Sequence, residues 1–195
     1  MLGASSVSSF GHTLGIQTPL LPNLTLALGS SDVTLIDLTT AYSVFPNKGK
    51  LINPYGIMEV LDQNERVVWR VKPQKKVIMS QAGASIITDM LKGAIKEGTG
   101  RKALILKHAV AGKTGTTDGS RDALFIGFSP SISTGVWVGQ DDLTTLGGME
   151  TGAKAALPIW LAFMKDALAD KSYQYFDIPD DVIEVRMDTT TGMLE

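Results

Sequence analysis

The sequence predicts an α+β fold, an antiparallel sheet flanked by helices. Three observations carry this. Three short apolar runs separated by Gly, Ser, Pro or Asp turns read as strands near 109–140. Two helical patterns, near 80–97 and 153–169, bracket that cluster. An earlier pair of β-rich runs reads as a hairpin.

Taken in order, residues 1–16 are small and Ser-rich, and Ser5, Ser6, Ser8 and Ser9 are expected to form a flexible terminus. Pro19 and Pro22 frame a loop. Asp32 is the expected N-cap of a helix over 33–45, with Leu35, Ile36, Leu38, Ala41, Tyr42 and Phe45 at helical spacing, ended by Pro46-Asn47-Lys48-Gly49. Tyr55 to Leu61 and Arg66 to Val71 form the hairpin, turning at Asp62-Gln63-Asn64-Glu65.

Ser80 caps the clearest helix, whose apolar stripe is Ile86, Ile87, Met90, Leu91, Ala94 and Ile95; Gly98-Thr99-Gly100 stops it. The strands are Ala109–Thr116, Ala123–Phe128 and Thr134–Gln140. The last helix presents Ala156, Ile159, Trp160, Phe163, Met164 and Leu168 on one face. The two helices either cover opposite faces of the sheet or share one. Trp69, Trp137 and Trp160 are expected in the core, given their apolar neighbours.

Bulk composition excludes several functions. The chain has 195 residues, 44% hydrophobic and 19% charged, with a net charge of −2. Its scattered lysines and arginines give no electrostatic footprint for nucleic acid. With no cysteine, disulfides and thiolate sites are ruled out. His12 and His108 have no ligand-like spacing, so neither a metal nor another cofactor is expected. No run reaches the roughly eighteen apolar residues of a membrane span. The first 28 residues carry no Lys or Arg and do not read as a signal peptide.

The sharpest feature is Ala111-Gly112-Lys113-Thr114-Gly115-Thr116-Thr117. A phosphate-binding P-loop needs a glycine five positions before Gly112, where Lys107 stands, and a helix after Lys-Thr, where Gly115, Asp118 and Gly119 stand. The nucleotide reading fails on both counts. A substrate strand fits better. An extended peptide can add to an exposed sheet edge, and Gly115 lets its backbone approach. Lys113 offers a charge to a peptide carboxylate, the hydroxyls of Thr114 and Thr116 offer hydrogen bonds, and the Thr116 N–H can face a developing oxyanion. Alone, so short a motif is more often an exposed turn; its surroundings change the odds.

Those surroundings are Leu26-Ala27-Leu28-Gly29-Ser30-Ser31-Asp32-Val33-Thr34 with Leu38-Thr39-Thr40-Ala41-Tyr42; Glu97-Gly98-Thr99-Gly100; Arg121 to Phe128 with Val136-Trp137-Val138-Gly139; and Gly152 to Trp160. Together, from about Phe10 to Met164, they resemble the transpeptidase domain of class A, bifunctional penicillin-binding proteins. The resemblance implies the penicillin-binding transpeptidase and serine β-lactamase-like fold. It implies D,D-transpeptidation, in which a D-Ala-D-Ala stem peptide acylates a serine and a second peptide's amine takes the acyl group. β-Lactams would trap the acyl-enzyme, and the parent would act in the periplasm, on the outer face of the inner membrane. Carried over, Lys113 is the catalytic residue, and Thr114, Gly115 and Thr116 bind substrate.

The family also needs Ser-x-x-Lys and Ser-x-Asn, and neither occurs; Thr99-Gly100-Arg101-Lys102 is nearest to the first. The expectation is therefore the C-terminal portion of a transpeptidase domain over 1–170 and a tail over 171–195, inactive by itself. Its uncovered apolar surface is expected to drive self-association. Two alternatives stay open: a D,D-carboxypeptidase relative or penicillin sensor, and a non-catalytic binding or scaffolding domain that keeps the substrate strand. His108 is expected at the surface or in a cap, and His12 has no assigned role. Arg121-Asp122 is either a loop-ordering ion pair or a solvated turn, and Asp141-Asp142 is a hairpin turn.

Overall fold

A computed structural model describes residues 3–148, 150–188 and 190–194. Among these described residues, four α-helices and seven strands follow in the order α1 (Ala4–Thr13), α2 (Leu35–Ser43), β1 (Lys50–Ile52), β2 (Glu59–Leu61), β3 (Val67–Arg70), β4 (Lys75–Val77), α3 (Gln81–Lys96), β5 (Ala111–Thr116), β6 (Asp122–Phe128), β7 (Ser133–Gly139) and α4 (Leu157–Leu168). The central sheet is antiparallel, ordered β5-β6-β7. The expected α+β architecture is present, and the three central strands begin and end within two residues of the limits read from the pattern, whereas the first hairpin strand, expected from Tyr55, begins at Glu59.

Residues directly opposite in an antiparallel pair share a face. Thr114 pairs with Phe125, which pairs with Val136; Gly115 pairs with Leu124, which pairs with Trp137. On the first face lies the main core: Phe125 and Val110 meet Ile95 of α3 and Leu157, Trp160, Met164 and Leu168 of α4. The rings of Phe125 and Trp160 stand edge to face at 4.9 Å. So α3 and α4 share one face. The other face carries α2, for a Cβ on Gly135 would strike Thr39 and, at 3.0 Å, Leu35 Cδ1.

Local signals placed most ends correctly. Ser80 caps α3, its Oγ accepting from Gly83 N at 3.0 Å. Asp62 makes the hairpin turn, Oδ1 accepting from Asn64 N and Arg66 N. Five expectations need correction. Thr34, not Asp32, caps α2, accepting from Asp37 N at 3.1 Å, because the helix starts two residues later than expected. Its buried positions are Asp37, Thr40, Ala41 and Val44 while Leu35 and Ile36 stay exposed, because residues 15–20 and β1 cover the helix opposite the sheet. The Asp37 carboxylate accepts from Gln17 N at 3.0 Å in that layer.

The serine-rich start is helix α1 rather than a loose end. Ser8 Oγ donates to Leu20 O at 2.9 Å, and the Leu20 side chain lies where a Cβ on Gly11 would be. Tertiary contact thus overrides the weak helix preference of serine. The strand pair β1–β4 went unread, since Lys50-Leu51-Ile52 and Lys75-Lys76-Val77 are too short to show a period. Finally, the apolar stripes are wider than the faces they bury. Ile86 and Met90 on α3, Ile159 and Phe163 on α4, and Trp69 on β3 are each about half exposed or more; Trp160 is fully buried.

The segment after α4 folds back over the base of the sheet. Phe176 packs edge to face on Phe128 at 5.7 Å, and Tyr173 stacks on His108 at 6.0 Å. Asp177 pairs with Lys48 Nζ at 2.6 Å and accepts from Gln81 Nε2 at 2.8 Å. His108 is therefore a packing residue at the entrance to β5. No helix among the described residues is long and apolar enough to cross a membrane.

Candidate functional site

Strand β5, which carries Lys113 to Thr116, is one of the two outer strands of the central sheet among the described residues. Among the described residues no strand pairs with its outer side. Thr117 N–H donates to Asp122 O at 3.1 Å, which sets the phase of the β5–β6 ladder. Antiparallel bonding alternates, so odd-numbered residues of β5 bond β6 and the N–H and C=O groups of Gly112, Thr114 and Thr116 face outward. Lys113 Nζ accordingly donates to Thr114 O at 3.0 Å, on the open edge. No carboxylate pairs with Lys113 among the described residues.

The strand is braced along its length. Gly112 is buried, and a Cβ there would lie 2.6 Å from Ile126 O, so only glycine lets β5 lie this close to β6. A π-helical turn, Gly152–Ala156, leads into α4. Its first residue sits on the strand: a Cβ on Gly152 would lie 2.5 Å from Gly115 O and collide with Leu124 O. Gly152 N–H donates to Thr116 Oγ1 at 3.1 Å. Thr114 Oγ1 is hydrogen-bonded to Thr99 Oγ1 at 2.5 Å. Thr114 and Thr116, two residues apart, therefore place their hydroxyls on one face, and Lys113 and Gly115 lie on the other.

The loop after the strand is ordered by Asp122. Its carboxylate accepts from Thr117 Oγ1 at 3.2 Å and from Trp137 Nε1 at 2.8 Å, and Asp122 N donates to Thr117 Oγ1 at 2.8 Å. The ion pair considered for Arg121-Asp122 is thus replaced by a Thr117–Asp122–Trp137 cluster. Trp137 is 42% exposed rather than core, since its indole lies along the surface to reach that carboxylate. Residues 143–147 lean on the same loop, with Thr145 Oγ1 donating to Gly119 O and Leu146 N to Ser120 O, each at 2.9 Å. The Asp141-Asp142 turn closes on itself. Asp142 accepts from the hydroxyl and N–H of Thr144, which hold its carboxyl below the usual range. No cluster of His, Cys, Asp or Glu among the described residues is arranged to hold a metal.

The four residues singled out from the sequence thus lie together on one open edge. Sequence reasoning missed Thr99 and Gly152 as their supports. Both sit inside stretches that carry the family resemblance, Glu97–Gly100 and Gly152–Trp160, but only folding reveals what they touch.

An antiparallel sheet with an open edge strand bearing Lys-Thr-Gly, backed by helices, fits the penicillin-binding class of transpeptidase domains. The family model for the penicillin binding protein transpeptidase domain matches residues 15–165, and the chain belongs to that family. Penicillin-binding protein 1A of Aquifex aeolicus is 39% identical over 186 residues, covering 95% of this chain and 26% of that protein. Penicillin-binding protein 1A of Pseudomonas aeruginosa is 32% identical, covering 98% and 30%. The chain therefore spans between about a quarter and a third of the length of these curated relatives. The crystal structure of Penicillin-Binding Protein 1A from Haemophilus influenzae superposes with a TM-score of 0.93 at 29% identity, over 99% of this chain and 35% of that one. The PonA1 protein of Mycobacterium tuberculosis, solved in complex with penicillin V, gives 0.76 at 25% identity, over 91% and 53%.

Proposed function

We propose that this chain supplies the substrate strand of a serine-type peptidoglycan D,D-transpeptidase. The observation that carries the reading is the outward-facing N–H and C=O row of β5 beside Lys113 and the Thr114 and Thr116 hydroxyls. A stem peptide ending in D-Ala-D-Ala adds along that row as a further strand. Its carboxylate is held by the two hydroxyls, within reach of the Lys113 charge. The outward N–H of Thr116 faces the carbonyl under attack and stabilises the charge that develops on its oxygen. β-Lactams use the same contacts, in keeping with the penicillin V complex of PonA1.

In this reading 1–170 is the transpeptidase portion and 171–195 a tail. The acylated serine and its base are contributed by residues outside these 195, so the chain alone forms no acyl-enzyme. The work is done outside the cytoplasm, at the cell wall. The half-exposed Ile86, Met90, Ile159 and Phe163 give the isolated chain apolar surface through which it self-associates at high concentration.

Titrating the isotopically labelled chain with N-acetyl-D-Ala-D-Ala tests the site. The expected result is a shift of the Thr114 to Thr116 amide resonances; shifts confined to other residues would overturn the reading. Labelled penicillin is expected to leave no covalent adduct on this chain, and a stoichiometric one would reveal a nucleophile within it.

A further inference from the structure

The hydroxyl of Thr99 lies behind the strand, where it meets Thr114 Oγ1 at 2.5 Å. Thr99 follows α3 in a tight turn between two glycines. A Cβ on Gly98 would lie 2.6 Å from Ala94 O, and one on Gly100 would lie 3.1 Å from Ile95 Cγ1. The turn is thus packed directly on the end of α3, and Ile95 of that helix is buried in the main core. Thr99 is therefore a fixed point, anchored from behind the strand.

Proton counting gives that contact a direction. A hydroxyl donates once and accepts twice. Thr116 Oγ1 accepts from Gly152 N–H, so its single proton is free to point at a ligand. Without a ligand, either member of the Thr99–Thr114 pair can donate. A carboxylate accepts only, so Thr114 must give it its proton and must then receive the proton of Thr99.

We propose that Thr99 is a positioning residue for the carboxylate subsite: it donates to Thr114 Oγ1 and so aims the Thr114 proton outward, parallel to that of Thr116. This rests on the peptide-binding reading of β5. The chain Thr99–Thr114–carboxylate is cooperative, each bond polarising the next, and ends in a charge-assisted bond. Its specificity consequence is selective recognition of an anionic terminus over a neutral one. A carboxamide end carries its own N–H donors and can satisfy Thr114 whichever way that hydroxyl points.

The test compares N-acetyl-D-Ala-D-Ala with its C-terminal carboxamide on the wild-type chain and on Thr99→Val and Thr99→Ser, following Thr114 to Thr116 amide shifts. Valine keeps the shape and removes the donor. It is expected to weaken carboxylate binding about three- to tenfold, the worth of one hydrogen bond. Carboxamide binding is expected to hold within about twofold, and Thr99→Ser to restore the carboxylate preference. Failure of the wild-type chain to bind the carboxylate peptide at β5 would remove the peptide-binding reading and this inference with it. Normal wild-type binding with an unchanged carboxylate-to-carboxamide ratio in Thr99→Val would overturn the inference alone. So would equal weakening of both ligands, which marks a merely structural residue.

Discussion

The backbone N–H of Gly152 donates to the hydroxyl of Thr116 at 3.1 Å, joining the start of the last helical segment to the open edge strand β5. Gly152 lies so close that its missing side chain is part of the contact, with Gly115 O only 2.5 Å from where a Cβ would stand. Gly152→Ala has no flexible neighbour to displace, since both obstructing atoms are backbone carbonyls. It is expected to cost about 1–3 kcal/mol by overpacking and to speed amide exchange in β5. Urea denaturation and hydrogen exchange at Thr114 and Thr116 read the two effects; an unchanged exchange rate would show that the turn does not brace the strand.

Trp160 joins α4 to the sheet, fully buried against Phe125, with Nε1 donating to Thr134 O at 3.2 Å. Trp160→Ala is expected to cost about 3–5 kcal/mol. Trp160→Phe fills most of the space but leaves the Thr134 carbonyl without that donor, and is expected to cost less than half as much. Thermal or urea unfolding distinguishes them, and near-equal losses would mean that the hydrogen bond outweighs the packing.

Asp122 gathers Thr117 and Trp137 around one carboxylate at the end of β5. Asp122→Ala strands the indole N–H, which is partly exposed and so recovers some hydration. The expected loss is about 1 kcal/mol, together with a change in Trp137 emission as the ring is released. Asp122→Asn retains an acceptor and is expected to retain most of the emission; an identical spectrum for the alanine variant would contradict the bond.

Asp177 ties the tail to Lys48 and Gln81. The Lys48 ammonium, first by its hydrogen bond and then by its charge, holds the Asp177 carboxyl below the ordinary aspartate range. The sign follows from linkage. A depressed folded value means that the contribution is complete above the ordinary aspartate range and is lost as pH falls through and below it. Because both partners are solvent-exposed, the effect is local and screened by salt. Acidification from about pH 5 to about pH 3 is expected to lower the protection of amides around Tyr173 to Asp177, measured as exchange relative to the unfolded chain at the same pH. Asp177→Asn should show the lower protection at both pH values, with no acid step of its own.

The legible and illegible parts of this chain divide along a physical line. Caps, turns and strand periods act within a few residues, so Ser80, the Asp62 turn and the three strands of the sheet were readable directly, as was the motif from Lys113 to Thr116. The hydrophobic stripes were readable too, but not which part of each is covered. Ile95 and Met90 look alike in sequence, and one is buried while the other is exposed.

The sequence by itself determined the family, the sheet-and-helix order and the four residues of the open edge, because each depends on local pattern or motif. The fold alone decided that α3 and α4 share one face, that Ser8 anchors a helix on Leu20, and that Thr99 and Gly152 support Thr114 and Thr116. Those contacts join residues 12 to 36 positions apart. A hydroxyl or a glycine carries no mark in the sequence of the distant partner that packing will bring to it.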